Sequence, residues 1–448
     1  MIGRVVNFFG DAAHAKARRR LLWVTLVVVF AADFLVHRDH GDFFWDFIPG
    51  WGAAYGFISC VAIIFASKLL GEFGADVIKI EPPGTGDPLR RWRVMRGDTS
   101  LWWHVQTRNK RSVSLDLKSE EGQDIVRRLA AEADIVVENF SSGVLSRWGL
   151  DYGEQRKIRP DVIYLSLSGF GHSGPDQHFT TWGPTAQALS GLTYMSGLPG
   201  EDPAGWGFSY MDHTAGYYGA MACMMALHHR NKTGEGQWLD LSQVESGIPL
   251  TGTAILEKTV NGRQYRQKGN PPGNRSPNPA VAPHNTYRCK GDDRWCVISI
   301  FDDQQWAAFV DALGKPDWAT ATRFATNESR VQHQDDLDTL IETWTTERTP
   351  HEAMHTLQAA GIAAGAVQTP KEKVDEDPQL RHRDFIRETE HAEMGNTRFE
   401  GQPVSLSKSP WELRLPSPLL GEHADYVYHQ LLGTPDEEIA RMAEEAVF

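Results

Sequence analysis

The chain has 448 residues and a formal net charge of −13 at pH 7, so it is long enough for two or three domains with a substantial core. The acidic balance argues against nucleic acid as a partner, because binding a phosphate backbone requires a basic surface. Its four cysteines, Cys60, Cys223, Cys289 and Cys296, lack the paired spacing of a zinc site or of a disulfide framework. We therefore expect no metal site and a reducing compartment, the cytoplasm.

The N-terminal part of the chain is unusually apolar. Two apolar runs cover residues 21–36 and 48–66, with basic residues just before the first run and Lys68 just after the second. Because basic residues flank membrane segments on the cytoplasmic side, residues 1–66 are predicted to contain a hydrophobic helical hairpin. It would insert residues 21–66 into the inner membrane with both ends inside. Buried or interfacial helices, and a fusion or start-site artefact, are the alternatives.

From residue 67 onward, short apolar strands alternate with amphipathic helices. Ser119, followed by two glutamates, predicts the start of one of these helices. Strands are predicted at residues 76–80, 112–117, 135–138 and 162–168. This alternation is typical of an α/β fold whose parallel sheet is covered on both faces.

The character of the sequence changes between residues 253 and 381, which predicts a smaller α+β domain. A loop rich in Pro, Gly and Asn is followed there by a strand-rich stretch, in which Cys289 and Cys296 flank a hairpin turn. Helices are predicted next, near residues 304–313 and 337–344. We therefore expect a large α/β domain formed by residues 67–252 and 382–448, with the small domain inserted in it.

The stretch from residue 208 to residue 242 places one carboxylate at the start of a long helix. Asp212 precedes apolar and small residues whose spacing predicts a buried, tightly packed helix. The turn KTGEG at residues 232–236 ends this helix, and a strand is predicted at residues 238–241. An aspartate in this position is most often an N-cap, whose side chain accepts the free amides of the first turn. The pattern alone leaves an N-cap and a reactive carboxylate as alternatives.

Several motifs, in one order along the chain, resemble those of a single enzyme family. DHTAG at residues 212–216 and ALHHRNKTGEGQ at residues 226–237 follow GADVIKIE, NKRSVSLDLK, VENFSSGVLSRWGL and SLSGFGHSGP. Together they resemble the class III CoA-transferase family of the CaiB/BaiF type, which includes formyl-CoA transferase and carnitine CoA-transferase. The resemblance extends in collinear order from about residue 67 to the C terminus, and it indicates the family rather than the substrate.

The resemblance implies a site and an assembly. Asp212 falls at the position of the family's nucleophile. Five residues fall where the family contacts coenzyme A: Leu115, Lys118, Asn139, Phe140 and Arg147. Cations and a backbone cradle at strand ends suit the phosphates of that ligand. The resemblance also implies a Rossmann-like large domain, no tightly bound cofactor, and an interlocked dimer, either a homodimer or a heteromer with a related subunit.

The implied reaction moves coenzyme A from an acyl-CoA to a carboxylic acid. Attack of a carboxylate on a thioester gives a mixed anhydride, and the released thiolate then attacks this anhydride to store the coenzyme as an aspartyl thioester. These intermediates must be kept from water. The segment GNPPGNR at residues 269–275 resembles the family's mobile lid over the active site, and an ordinary surface linker is the alternative.

Two departures from the family's pattern bear on the substrate and the function. Related α-methylacyl-CoA racemases carry a His-Asp pair where this chain has Trp182 and Gly183, which cannot accept a proton, so racemisation is disfavoured. Formyl-CoA transferase carries Tyr-Glu there, and Trp182 indicates a larger or more apolar acyl group. By family analogy we expect a dicarboxylic donor such as succinyl-CoA.

The second departure is CVAIIFA at residues 60–66, where the family has its first strand. It leaves an alternative function, a membrane-anchored subunit that is non-catalytic or weakly active and partners an active CoA-transferase.

Overall fold

The structure is a computed structural model that describes residues 66–92, 94–206, 209–267, 270–445 and 447–448. The predicted N-terminal hairpin lies outside these residues except for Ala66, which is buried in a helical segment that reaches residue 72. Within the described ranges, no helix is both long enough and apolar enough to cross a membrane.

The first sheet is a parallel pair of strands. In chain order this part comprises β1 (Val77–Glu81), β2 (Met95–Arg96), β3 (Thr99–Ser100), α1 (Leu101–Thr107) and β4 (Lys110–Ser114). Strands β1 and β4 are parallel, with Ile80 opposite Val113, while β2 and β3 form a short antiparallel pair. Alternation of strand and helix therefore produces the parallel pairing that the sequence predicts.

The second sheet carries the helices around the predicted site. In chain order its part comprises α2 (Glu120–Glu132), β5 (Ile135–Glu138), α3 (Val144–Arg147), α4 (Tyr152–Ile158), β6 (Ile163–Ser168), α5 (Gly183–Leu189), α6 (Leu192–Met195), α7 (Tyr210–Thr233), β7 (Trp238–Ser242), α8 (Gln243–Gly247) and α9 (Gly252–Thr259). The strand order is β5-β6-β7, and both neighbouring pairs are parallel. Ser119 caps α2 by accepting the Gly122 N–H at 3.0 Å. The prediction of an α/β fold with parallel strands is confirmed.

The long helix α7 packs on β6 through its smallest residues. A Cβ atom on Gly219 would lie 3.0 Å from Leu165 Cδ2, so the helix lies close to the sheet. The prediction that α7 is buried is wrong for one face, because small residues take the sheet side and longer ones point outward. The outward residues include Met221, Met224 and Met225, of which Met225 is 67% exposed.

Residues 276–366 form an antiparallel sheet with its own helical core. In chain order the elements are β8 (Ser276–Pro277), β9 (Ala280–Val281), β10 (His284–Arg288), β11 (Trp295–Ser299), α10 (Asp303–Ala312), α11 (Asn327–Gln332), α12 (Gln334–Thr345), α13 (Pro350–Ala359) and β12 (Ala363–Ala366). Strand β11 pairs antiparallel with both β10 and β12. The thiols of Cys289 and Cys296 are buried and free on either side of the predicted hairpin turn.

The C-terminal segment returns to the first sheet. It contains α14 (Pro378–His382), β13 (Ile386–His391), β14 (Gly395–Glu400) and α15 (Asp436–Glu444). Val427, Tyr428 and Met442 join Val113 and Leu115 in one buried cluster, so the end of the chain completes the core under β4. Short 3-10 or π turns complete the described elements at Pro88–Arg91, Ile248–Thr251, Thr322–Phe324, Glu372–Glu376 and Tyr426–Leu431.

A buried ion cluster links the returning segment to the start of the described chain. The Arg108 guanidinium lies 2.6 Å from Glu72 Oε1 and 3.1 Å from Glu400 Oε1, and the side chains of Arg108 and Glu72 are fully buried. Gln402 donates a hydrogen bond to the other oxygen of Glu72. The Arg108 guanidinium thus pairs with carboxylates that are far apart in the sequence. This pairing offsets the free-energy cost of burying its charge.

Candidate active site

Asp212 lies in the first turn of α7 and is not its N-cap. Ser209 holds the N-cap position, and Asp212 is the third residue of the helix. Its Oδ1 atom accepts a hydrogen bond from Gln243 Nε2 at 3.0 Å, and the Ser209 hydroxyl also bonds to the carboxylate. The carboxylate is therefore held by neutral donors at a helix start, where the peptide dipoles favour negative charge.

Burial distinguishes this carboxyl group from a surface aspartate. Only 2% of Asp212 is exposed. Burial raises the pKa of the Asp212 carboxyl to about 7, although hydrogen bonds from Gln243 and Ser209 act in the opposite direction. A buried acid whose pKa lies near neutrality is a candidate functional group. Above about pH 7 the group is mainly ionised and is able to act as a nucleophile.

Helix α5 begins directly against this carboxylate. The ideal Cβ position of Gly183 overlaps Asp212 Oδ2 and also crowds Ser209, so a residue with a side chain would displace one of them. Trp182, the preceding residue, is 41% exposed. Position 183 is thus next to Asp212, and at this position the chain offers no group that could transfer a proton.

A cleft opens at the carboxyl ends of β5, β6 and β7. Ligands of open parallel sheets bind at this edge. Most of the side chains that line the cleft are neutral hydroxyls and amides, and none of them is charged. The lining residues are Asn139, Ser141, Leu167, Ser168, Gly169, Gln177, Phe179, Thr180, Thr181 and Gln243.

Two polar atoms in the cleft wall are available to a ligand. Asn139 Nδ2 and Ser168 Oγ are buried and have no hydrogen-bond partner in the part of the chain that the structure describes. Asn139 as a whole is only 7% exposed. Because a buried donor without an acceptor is costly, these atoms suit a ligand that supplies acceptors. Gln243 lines the same cleft and contacts Asp212, so one side chain separates the cleft from the carboxylate.

Glu138 shapes the turn that carries Asn139. Its carboxylate accepts the backbone N–H of Phe140 at 2.8 Å, and burial raises the pKa of the Glu138 carboxyl to about 7. His172 Nε2 lies 3.5 Å from Glu138 Oε1, and burial lowers the pKa of the His172 imidazole. The loop after β6 thus lies against the end of β5, next to the cleft wall.

The five residues predicted to contact coenzyme A fall into three groups. Asn139 lines the cleft, and Phe140 is half-buried directly after it. Lys118 and Arg147 are exposed, the latter at the end of α3, and neither lines the cleft. The side chain of Leu115 is buried in the core, so only its backbone is available to a ligand.

No metal or thiol centre is assembled in the described ranges. They contain no group of three or more His, Cys, Asp or Glu residues that could hold a metal ion. Burial raises the pKa of the Cys223 thiol on α7 to about 12, so this thiol stays protonated at neutral pH and is a poor nucleophile.

Sequence reasoning missed Gln243 and Ser168. Ser168 ends β6 and Gln243 directly follows β7, at the same sheet edge as Asn139 after β5. The strand predictions located this edge, and residues at strand ends are the signal that could have found both. The contact between Gln243 and Asp212 joins residues 31 positions apart, so no local pattern reveals it.

Known proteins resemble this chain over most of its length. The model of CoA-transferase family III matches residues 56–424. Succinyl-CoA–D-citramalate CoA-transferase of Chloroflexus aurantiacus is 35% identical over 384 residues, which cover 86% of this chain and 94% of that protein. The succinyl-CoA–L-malate CoA-transferase beta subunit of the same organism is 32% identical over 398 residues, covering 86% and 95%. The crystal structure of a CaiB/BaiF family protein from Brucella suis matches with a TM-score of 0.75 and 30% identity, over 82% of this chain and 95% of that one.

Proposed function

Because the chain belongs to CoA-transferase family III and is a CoA-transferase, we propose that it moves coenzyme A from an acyl-CoA thioester to a carboxylic acid with Asp212 as the nucleophile. One observation carries this proposal. The Asp212 carboxylate is buried, held at 3.0 Å by Gln243, and one side chain away from a cleft at the ligand-binding edge of the sheet.

The proposed chemistry begins with attack of Asp212 Oδ2 on the thioester carbonyl carbon. The carbon–sulfur bond breaks, coenzyme A leaves as a thiolate, and the acyl group remains on Asp212 as a mixed anhydride. The thiolate then attacks Cγ of Asp212, and the donor acid leaves as a carboxylate with Oδ2. The acceptor acid repeats these steps in reverse and departs as the new acyl-CoA.

Burial of Asp212 serves this chemistry in two ways. It keeps water from an anhydride and a thioester that would otherwise hydrolyse. It also strengthens the interaction of the carboxylate with fixed donors such as Gln243. Since only 2% of Asp212 is exposed, the thioester reaches Oδ2 only after residues around the carboxylate have moved.

For coenzyme A we propose the contacts that the family resemblance implies. Asn139 presents an amide without a partner among the described residues, and Phe140 follows it at the strand end. Lys118 and Arg147 are exposed cations that suit the phosphates, while Leu115 would contribute backbone atoms only.

For the acyl group we propose a dicarboxylic donor, with succinyl-CoA as the first to be tested. Both Chloroflexus relatives are named for succinyl-CoA. The exposed ring of Trp182 supports an acyl group larger than formyl. The acceptor is a carboxylic acid, and both relatives are also named for one, D-citramalate and L-malate.

For the assembly we propose an interlocked homodimer, or a heteromer with a related subunit. Tyr217, Met221, Met224 and Met225 are exposed on successive turns of α7, and apolar patches of this kind mark protein–protein contacts. One relative is named as a beta subunit. We expect Met224→Lys to shift the protein to smaller species in sedimentation experiments, and an unchanged sedimentation coefficient would contradict this interface.

For the domain organisation we propose a Rossmann-like large domain, residues 67–252 and 382–448, and a small domain, residues 253–381. One buried cluster lies wholly between Ala282 and Ile362, while another joins residues 113–129 to residues 427–447. We propose a cytoplasmic location, and attachment to the membrane through residues 21–66 remains a prediction for carbonate extraction of the full chain.

Mass spectrometry of Asp212 tests the proposed reaction. We expect incubation with succinyl-CoA to produce a coenzyme A adduct on the peptide that contains Asp212, and addition of an acceptor acid to remove it. Asp212→Asn should form no adduct. If a panel of acyl-CoAs leaves the native protein unmodified and no coenzyme A is exchanged, the proposed function is wrong and a non-catalytic subunit takes its place.

A further inference from the structure

The contact between Gln243 and Asp212 lies on the oxygen that does not attack. Gln243 Nε2 donates to Oδ1 at 3.0 Å, whereas Oδ2 lies where a Cβ atom on Gly183 would fall. Asp212 Cγ is the second electrophilic centre of the proposed reaction, because the thiolate must attack it after the anhydride has formed. When it does, negative charge develops on Oδ1.

We propose that the Gln243 side-chain amide is the oxyanion donor for attack on Asp212 Cγ, an inference that rests on the proposed aspartyl chemistry. The sulfur–Cγ bond forms while the Cγ–Oδ1 double bond opens and places its electron pair on Oδ1. As this pair returns, the Cγ–Oδ2 bond breaks and the donor acid leaves as a carboxylate. No proton, oxidant or further reactant is required.

The geometry fits this role before substrate binds. Donors that stabilise an oxyanion lie 2.7–3.1 Å from the oxygen that becomes charged. Gln243 is only 4% exposed, so water competes little for the hydrogen bond that its amide donates to Asp212. Its position is fixed at the first residue of α8, whose N-cap Ser242 accepts the Glu245 N–H at 3.2 Å. The same amide binds the ionised carboxylate before the reaction. It then stabilises the negative charge that develops on Oδ1 when the thiolate attacks Cγ.

The proposal predicts a specific defect in Gln243→Leu, which removes the donor and keeps the size. Slow attack on Cγ leaves the anhydride exposed to water for longer, so free thiol is released without transfer of coenzyme A. We expect kcat to fall about 100- to 1,000-fold, as on removal of one oxyanion donor. The KM for succinyl-CoA should change less than threefold. The ratio of thiol released to acyl-CoA formed should rise at least tenfold.

Two further variants complete the test. Gln243→Met removes the donor, stays neutral and keeps an unbranched side chain of similar length, so it should show the same defect even if Gln243→Leu fails to fold. Gln358→Leu makes the same chemical change at an exposed residue of α13 and should behave as the native protein.

A native thiol-to-product ratio in Gln243→Met, or equal losses of transfer and thiol release, would overturn the oxyanion role. If the native protein itself neither transfers coenzyme A nor releases thiol, the proposed function fails instead.

Discussion

The Oδ2 atom of Asp212 occupies the space that a side chain on Gly183 would need. The two residues belong to the first turns of α7 and α5, which are 29 positions apart in sequence. The fit places this oxygen, the proposed nucleophile, against the backbone at the start of α5, while Gln243 holds Oδ1. A glycine at the start of α5 therefore forms part of the surroundings of the Asp212 carboxylate.

Gly183→Ala should impair the reaction more than it impairs folding. The new methyl group would overlap Asp212 Oδ2, and the carboxylate would have to rotate out of its position. We expect kcat to fall on the order of 100-fold, because misplacement of a reacting group by about 1 Å costs that much. Steady-state kinetics and thermal unfolding measure the two effects.

Gly252→Ala is the matched control for this variant. A Cβ atom at Gly252, at the start of α9, would contact nothing within 4 Å. Its kinetics should match those of the native protein. Native kcat in Gly183→Ala would show that the carboxylate does not depend on this space.

Much of the fold could be predicted because it follows from local patterns. The strand predicted at residues 135–138 is β5, and the strand predicted at residues 162–168 differs from β6 by one residue. Alternation of strands and helices indicates parallel pairing, since a parallel connection needs a crossover. The predicted cap of α2 by Ser119 depends on neighbouring residues only, and the structure contains it.

The site was less predictable because it depends on long-range contacts. Motif similarity predicted Asp212 as the nucleophile, which stays a prediction. Its place ahead of a helix suggested an N-cap, and the structure places Ser209 there instead. The exposed face of α7 was also missed. A helix of small and apolar residues is predicted as buried, whereas its small side packs on β6 and its methionines point outward.

Asp212→Asn should abolish coenzyme A exchange and keep the fold. The amide has nearly the same shape, but it cannot form the anhydride. We expect kcat to fall below detection while the circular dichroism spectrum stays native. Gln358→Leu, at an exposed position, again serves as the control and should keep the kcat of the native protein. Turnover above 1% of the native rate, which we take roughly as the threshold for a nucleophile, would remove Asp212 from this role.

The pH dependence should reflect the raised pKa of Asp212. Because the carboxylate attacks and its pKa is about 7, kcat/KM should rise with pH through an apparent pKa near that value. Glu138 has a similarly raised pKa, so Glu138→Gln is the control. If kcat/KM of Glu138→Gln no longer falls at low pH, the apparent pKa belongs to Glu138 and not to Asp212.

The free energy of unfolding should also depend on Asp212, but it should fall as pH rises, whereas kcat/KM should increase. Between about pH 4 and pH 7 the unfolded chain releases the Asp212 proton while the folded chain keeps it, so the folded state loses stability as pH rises. Asp212→Asn lacks this loss. Relative to the native protein, its free energy of unfolding should therefore increase between pH 4 and pH 7.5, by up to about 4 kcal/mol. Urea titrations at the two pH values measure the difference, and a pH-independent difference would contradict the raised pKa.

The buried Arg108 cluster should be a major source of stability for the return of the C-terminal segment. Arg108→Met removes the cation between Glu72 and Glu400 and leaves a buried charge uncompensated. We expect the free energy of unfolding to fall by about 3–5 kcal/mol. Arg441→Met breaks an exposed pair with Glu445 and should cost less than about 1 kcal/mol. Equal effects in urea titrations would show that burial does not decide the contribution.

Arg147→Ala should weaken the binding of acyl-CoA without slowing the chemical steps. Arg147 is exposed at the end of α3 and does not line the cleft beside Asp212, so its proposed partner is a phosphate of the ligand. Loss of a charge-assisted contact costs about 1.5 kcal/mol or more, which raises the KM for acyl-CoA about tenfold. The kcat and the KM for the acceptor acid should scarcely change, because neither depends on the phosphates.

Arg156→Ala, on an exposed turn of α4, is the matched control for loss of one surface cation and should leave the KM for acyl-CoA unchanged. Desulfo-coenzyme A supplies the same phosphates without the thiol, so calorimetry with this ligand separates phosphate binding from the reaction. Equal affinities in the native protein and in Arg147→Ala would exclude Arg147 as a phosphate contact. A weaker affinity in Arg147→Ala alone would place a phosphate of coenzyme A beside α3.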